Sequence, residues 1–303
     1  MKIIIAGGTG FLGSCLAEYY SAKGAEVIIL TRGGSHTAGN SQFVHWDGKT
    51  LESWVSALEG ADVLVNLNGK SVDCRYTEKN KQLIYSTRLD ATRVLGEAVL
   101  KCKIPPRLWI NAASATIYRH SLDKEMDEYT GEIGTGFSVD VCKKWERVFN
   151  EVELSSTRKV IIRTGIVLGR TGPFKPLKML AKLGMGGKHG PGTQYFSWLH
   201  EKDFVQIIDY INLNPGMSGV YNVTAPTPIP NSRFMKALRN ALGIPFGLPL
   251  PKWLLEFGAV IIGTETELIL KSRRVVPKKL LELGYQFEFK NIEEALTDLV
   301  RQS

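Results

Sequence analysis

No stretch of this chain is apolar for long enough to cross a bilayer, and none of its cysteines sits at metal-ligand spacing. The longest late apolar run, residues 253–262, is interrupted by Glu256 and Gly258, whereas a spanning helix needs about 20 residues. The opening MKIIIAGG holds one lysine and an apolar run broken by glycine too early for a secretory leader. Cys15, Cys74, Cys102 and Cys142 are scattered, which predicts structural thiols in a reducing compartment and no bound metal. Acidic residues are the scarcer charge, 30 against 38 basic ones, for a net charge of +8. The excess is dispersed rather than gathered into a tract, and no readout motif for nucleic acid accompanies it. What such a balance favours is an anionic small molecule. The reading is a soluble, cytoplasmic protein that binds neither membrane nor nucleic acid.

Glycine, by contrast, is plentiful, and its placement carries information. Residues 3–13 read IIIAGGTGFLG, an apolar strand breaking into glycines ahead of a segment, 11–23, with Leu12, Leu16, Tyr19 and Tyr20 at helical spacing. Gly7 suits a tight turn, Gly10 a backbone that phosphate oxygens can approach, and Gly13 close packing of helix on strand. Thr9 and the first helical N–H groups, those of Phe11 and Leu12, then face a pyrophosphate with the helix dipole behind them.

Apolar runs at 3–6, 26–30, 62–67, 107–113 and 159–168 alternate with helical periodicity at 51–59, 78–101 and 138–154. Alternation of this kind predicts an α/β fold, a Rossmann-type doubly wound parallel sheet whose ligand lies at the carboxyl ends of the strands. After residue 170 a Gly/Pro/Lys-rich stretch reads as a mobile loop and short helix over the site. A strand returns at 219–224, then a helix capped by Asn231 or Ser232, a proline-rich connection, and a last helix from Ile292. Residues 1–170, rejoined by 196–224, are thus expected to form the nucleotide-binding domain. Residues 171–195 and 225–303 are expected to form a smaller C-terminal substrate lobe.

The second strand closes on Thr31-Arg32, where an NAD-preferring protein places a carboxylate for the ribose hydroxyls. A guanidinium there grips a 2′-phosphate, and charge-assisted bonds of about 1.5–3 kcal/mol would turn preference toward NADP. The turn Leu67-Asn68-Gly69 is small and polar enough for the dinucleotide to pack against it. Ser114 and Thr116 follow the fourth apolar run, at a strand's carboxyl end, where a hydroxyl can donate to a substrate carbonyl.

Together with TRG at 31–33, HWDG at 45–48, VNLNGKSV at 65–72, STRLDATRVL at 86–95, FSWLHEKD at 196–203 and RRVVPKKLLELGYQFEF at 273–289, these features mark a resemblance. The chain resembles the atypical "epimerase family" branch of the extended short-chain dehydrogenase/reductases. That branch binds NAD(P), has no settled substrate, and carries a small C-terminal domain of unknown function. The resemblance implies that Arg88 is associated with the dinucleotide, that Val167 walls the nicotinamide, and that Tyr118, near the serine loop, packs against the substrate; Tyr118 is also a candidate substitute proton donor, against the alternative of a buried structural tyrosine.

One departure stands out. Extended reductases use a Tyr-x-x-x-Lys pair about two dozen residues after the serine, and with Glu146 aligned to the family's acidic position that pair is replaced by Ser138 and Cys142. The literal match, Tyr19 to Lys23, follows the glycine loop and reads as coincidence. Lys143 is one step off and would face elsewhere. Cys142 reads as buried and inert, and His200 as structural. Arg163, in an otherwise apolar strand, is either a paired buried charge or a ligand contact. Two functions stay open: an NADP(H)-dependent oxidoreductase or epimerase-like enzyme acting on a small, sugar-like carbonyl or hydroxyl substrate, and a catalytically silent NADPH-sensing binding protein. Pairing into a homodimer is compatible with either.

Overall fold

A computed structural model describes residues 1–263 and 265–302. The first strand, β1 (Lys2–Ala6), runs into the glycine turn and helix α1 (Phe11–Ala22), then β2 (Glu26–Thr31). Two short strands follow, β3 (His36–Ala38) and β4 (Ser41–His45), then β5 (Val63–Asn66). Helix α2 (Glu78–Lys101) leads to β6 (Leu108–Ser114), and α3 (Phe137–Glu151) to β7 (Arg158–Thr164). Beyond these come β8 (Ile166–Leu168), α4 (Phe174–Leu180), β9 (Tyr195–Phe196), β10 (Trp198–His200), α5 (Glu201–Leu213) and β11 (Gly219–Val223). The C-terminal segment holds β12 (Ile229–Pro230), α6 (Asn231–Ala241), α7 (Lys252–Ile262), α8 (Glu267–Leu270), α9 (Lys278–Glu282) and α10 (Ile292–Arg301).

The main sheet has the order β11-β7-β6-β5-β1-β2-β4-β3 and is parallel except for the edge pair β3–β4. From β1 the chain moves outward through β2, then returns to β5 on the other side and moves outward again, which puts the switch point between β1 and β5. Alternation along each strand explains why both faces are covered. Ile3, Ile5, Val27, Ile29, Val63 and Val65 point to one face, against Leu16 and Tyr20 of α1 and Phe204 and Ile208 of α5. Ile4, Ala6, Ile28, Leu30 and Leu64 point to the other, against Val94, Leu95 and Ala98 of α2 and Phe149 of α3. Burial on both sides is what makes these strands continuous apolar runs in the sequence.

Two strands join those expected, and three expectations are corrected. Strands β3 and β4 lie in a polar edge that gives no apolar signal, and β3 is exposed throughout. Residues 51–59 form only a 3₁₀ turn, Ser53–Leu58. The run 159–168 is two strands, because the chain leaves the sheet at Gly165, where a Cβ would lie 2.7 Å from the Ser197 carbonyl oxygen and 2.8 Å from Thr224 Cγ2. Strand β8 then pairs in parallel with β10 instead. Finally, Pro230 caps α6, and neither Asn231 nor Ser232 does; the Asn231 side chain accepts from the His189 backbone N–H at 2.8 Å.

His189 is fully enclosed, and burial holds its imidazole down to about 4 from the usual 6.5, with the Met185 backbone offsetting this in part. The unfolded chain therefore takes up this proton first, so stability falls as pH drops from 6.5 toward 4. A linkage of this size reaches about 3 kcal/mol. Replacing the ring by His189→Leu should flatten the acid limb of a plot of unfolding free energy against pH. An acid limb of unchanged slope would contradict the assignment.

Candidate functional site

Gly7 has φ +80°, and a Cβ on it would lie 2.9 Å from the Leu67 carbonyl carbon, so both its conformation and its contact require glycine. Gly13 presses on the turn itself, where a Cβ would come within 2.4 Å of Gly8 Cα. Gly10 differs. An added Cβ there would meet only the Gly7 carbonyl oxygen, at an ordinary 3.4 Å. The protein itself would tolerate a side chain at this position, so the need for glycine lies outside the polypeptide, where a pyrophosphate would approach. No side chain caps α1 and no acidic residue sits in its first turn, which leaves its leading N–H groups and dipole unopposed. Thr9 and Gly10 are exposed, and Phe11 and Leu12 half-buried. The Phe11 ring packs under Gly169 and Gly172, where Cβ atoms would meet it at 2.5 and 2.6 Å.

At the end of β2, Thr31 Oγ1 accepts from the Gly33 N–H at 3.2 Å, and Ser35 Oγ accepts from the His45 N–H at 2.9 Å. These bonds order the loop. Arg32 is exposed there, with no hydrogen-bond or ion-pair partner among the described residues.

Beside it the β5 exit is fixed by a buried polar network that was not anticipated. Asn66 Nδ2 donates to Asn111 Oδ1 at 2.7 Å and to Thr92 Oγ1 at 3.0 Å, while Trp145 Nε1 donates to the same hydroxyl at 2.9 Å. Asn66 Oδ1 in turn accepts from the Asn68 N–H at 3.1 Å, and Asn68 Nδ2 donates to the Thr87 carbonyl at 2.8 Å. The turn 67–69 is therefore rigid, with Gly69 exposed. Arg88 lies directly beneath it: a Cβ on Gly69 would be 2.9 Å from Arg88 Cζ, Nη1 donates to the Lys70 carbonyl at 3.0 Å, and the guanidinium rests 5.1 Å from the Trp145 ring centre. In this geometry Arg88 fastens the turn from below.

Ser114 ends β6, half-exposed, its Oγ accepting from the Thr116 N–H at 3.2 Å. Its own proton remains available. Tyr118 is a different matter. It is 1% exposed, its hydroxyl donates to Asn222 Oδ1 at 2.9 Å and accepts from Arg163 Nη1 at 2.9 Å, so it has no proton to offer a ligand and is corrected from donor to brace. Arg163 is the paired buried charge, not a ligand contact: Nε and Nη2 each donate to a Glu146 carboxylate oxygen at 2.8 Å. Val167 has its side chain 4% exposed, and the more open positions beside it at the β7 exit are Thr164, Gly165 and Ile166.

On α3, Ser138 and Cys142 occupy the expected places. Burial pushes the Cys142 thiol up to about 12, which keeps it protonated and inert. Ser138 Oγ donates to Glu267 Oε2 at 3.0 Å and lies 3.5 Å from the Tyr76 hydroxyl. Lys143 is exposed. Tyr19 and Lys23 both bind Asp209 of α5, at 3.1 and 2.6 Å, a packing clamp unrelated to any site. His200 is enclosed, caps α5 by accepting from the Lys202 N–H at 3.1 Å, and stacks on Phe289.

A glycine-cradled anion site at the switch point of a parallel sheet is what a nucleotide-binding reductase requires, and the sequence model of the NAD-dependent epimerase/dehydratase family matches residues 3–224. The chain belongs to this family. A domain of unknown function, DUF1731, matches residues 250–299. Among family members, the epimerase family protein YfhF of Bacillus subtilis is 35% identical over 303 residues, covering 99% of this chain and 98% of its own. The human epimerase family protein SDR39U1 is 32% identical over 304 residues, with 99% and 100% covered. A crystal structure of human SDR39U1 (isoform 2) with NADPH superposes with a TM-score of 0.90 at 29% identity, each chain fully covered. A UDP-N-acetylglucosamine 4-epimerase from Bacillus cereus, at 18% identity and TM-score 0.78, shares the fold.

Removing one partner of the Arg163–Glu146 pair leaves an enclosed charge. Glu146→Gln should cost about 3–5 kcal/mol in denaturant unfolding, and Glu146→Leu combined with Arg163→Met should recover at least half of it. A loss for Glu146→Gln no greater than that of an exposed pair would refute this role.

Proposed function

We propose that the chain binds NADP(H), with the pyrophosphate on the 7–13 turn and the 2′-phosphate on Arg32, and acts as an oxidoreductase on a small, sugar-like carbonyl or hydroxyl substrate. The single observation that carries the coenzyme choice is Arg32: an exposed guanidinium at the β2 exit without a partner among the described residues, where an acidic side chain would select the unphosphorylated coenzyme. The NADPH in the human SDR39U1 structure supports it. Four free cysteines suit a reducing, cytoplasmic setting.

Bound there, the nicotinamide would supply or accept a hydride. The chain's own contribution is Ser114. Its oxygen already accepts from the Thr116 N–H, which strengthens its O–H as a donor toward a carbonyl oxygen at the β6 exit. Ser138 and Cys142 cannot replace a phenol and an ammonium: one donates to a carboxylate and the other stays protonated. That pair of observations favours the second reading, a silent NADPH-sensing protein.

Two measurements follow. Arg32→Asp should weaken NADPH at least tenfold more than NADH, since about 1.4 kcal/mol is tenfold in affinity; equal losses would refute the phosphate assignment. Wild-type protein and NADPH should turn over at least one member of a panel of aldehydes, ketones and nucleotide sugars, and Ser114→Ala should slow it by about 10²-fold. Tight coenzyme binding without turnover across the panel would replace the enzyme by the sensor.

A further inference from the structure

The extended segment 272–276 of the C-terminal region crosses the turn that follows Ser114. Val275 is fully buried there in a cluster with Ala115, Ile117, Val139 and Cys142. Side chains two apart in an extended segment share a side, so Arg273 faces this same end of the site, within electrostatic reach of the Cys142 thiol and the Tyr76 hydroxyl. Arg274 turns the other way, to Glu125 and the Tyr195 ring. The backbone around Arg273 is pinned on both edges: its N–H donates to the Tyr195 carbonyl at 2.9 Å, and its carbonyl accepts from Ser197 Oγ at 2.6 Å.

For a counter-charge this pinned guanidinium has only a long, shared ion pair. Among the described residues its Nε and Nη1 have no hydrogen-bond partner, and its carboxylate contact is Nη2 to Glu267 Oε1 at 3.7 Å. Glu267 is already shared by Lys271 at 3.1 Å and by Ser138. Arg88, also within electrostatic reach of Cys142, is bonded to backbone carbonyls and stacked on Trp145. Glu146 is matched by Arg163. Three cations, Arg88, Lys271 and Arg273, thus gather at this end of the cleft, where Lys271 and Arg273 share Glu267 and the neighbouring Glu265 is taken by the Tyr76 N–H and Arg75. Burial depresses the Arg273 guanidinium to about 10, so an anion brought beside it would stabilise the charged form. An enclosed charge compensated by one long, shared ion pair is costly, which fits a position built for a ligand rather than for stability.

We infer that Arg273 and Lys271 form an anion subsite at the substrate end of the cleft, so that the substrate carries a carboxylate or a phosphate close to its reacting carbon. This rests on the coenzyme reading above, which puts the nicotinamide, not a phosphate, at the Ser114 end. An arginine fork beside a lysine matches either oxyanion, and a neutral sugar would leave both cations as they are.

Calorimetric titration of the protein saturated with NADP⁺ tests it, using lactate against lactamide and glycerol 3-phosphate against glycerol. At least one charged probe should bind tenfold or more tightly than its neutral counterpart, and which of the two does so separates carboxylate from phosphate. Arg273→Gln should abolish that preference while NADPH affinity stays within about twofold, and Arg273→Lys should keep part of it. If Arg273→Gln does not fold, Lys271→Gln should reduce the preference several-fold. Charged and neutral probes binding alike or not at all, a preference that survives both Gln variants, or displacement of NADP⁺ by the anion would overturn the subsite while leaving the coenzyme reading intact. Failure of the wild-type protein to bind NADP⁺ in the first step would bring down the coenzyme reading and the subsite with it.

Discussion

The close seating of α1 on the β1 exit governs the rest of the site. Gly13 lies on Gly8, Gly7 lies on the Leu67 backbone, and no side chain intrudes between helix and turn. This contact fixes the direction of the α1 dipole and brings the β5 turn against the glycine loop in one rigid unit. Any side chain at Gly7 or Gly13 would force the two apart, whereas Gly10 is spared for what approaches from outside.

Two polar networks extend this rigidity across the carboxyl edge of the sheet. Asn66, Asn111, Thr92 and Trp145 lock β5 and β6 to α2 and α3. Glu146, Arg163, Tyr118 and Asn222 do the same for α3, β7 and β11. Each member is satisfied by another, which is the condition under which enclosed polar groups specify a geometry instead of weakening it. Ser114 stands between the two networks, on a frame that neither yields nor competes for its proton.

Much of this was legible in the sequence because it depends on neighbours in the chain. Strands buried on both faces read as unbroken apolar runs, and the glycine cradle is local backbone chemistry. The rest depends on residues far apart in sequence. The break at Gly165 is dictated by Ser197 and Thr224, and Tyr118 becomes a brace only because Asn222 and Arg163 reach it. The Asn66–Asn111 bond did leave a trace: VLVN and LWIN each end an apolar run in asparagine, and the two are direct partners in the parallel register. Read singly, neither asparagine reveals the other as its partner. Arg273 belongs to the sequence motif at 273–289, but how thinly its charge is compensated is visible only once Glu267 and Cys142 are placed around it.

The places of the family's tyrosine–lysine pair and the basic C-terminal segment meet at one end of α3. Ser138 and Cys142 are tied to Glu267 and to the core, and Arg273 lies within electrostatic reach of Cys142. The claim beneath all of this is that the β1–α1 unit clasps a phosphorylated dinucleotide. Isothermal titration of the unmodified protein with NADPH and with NADH tests it most directly: one site per chain, with NADPH at least tenfold tighter, is expected, and the absence of heat with either coenzyme would contradict the account.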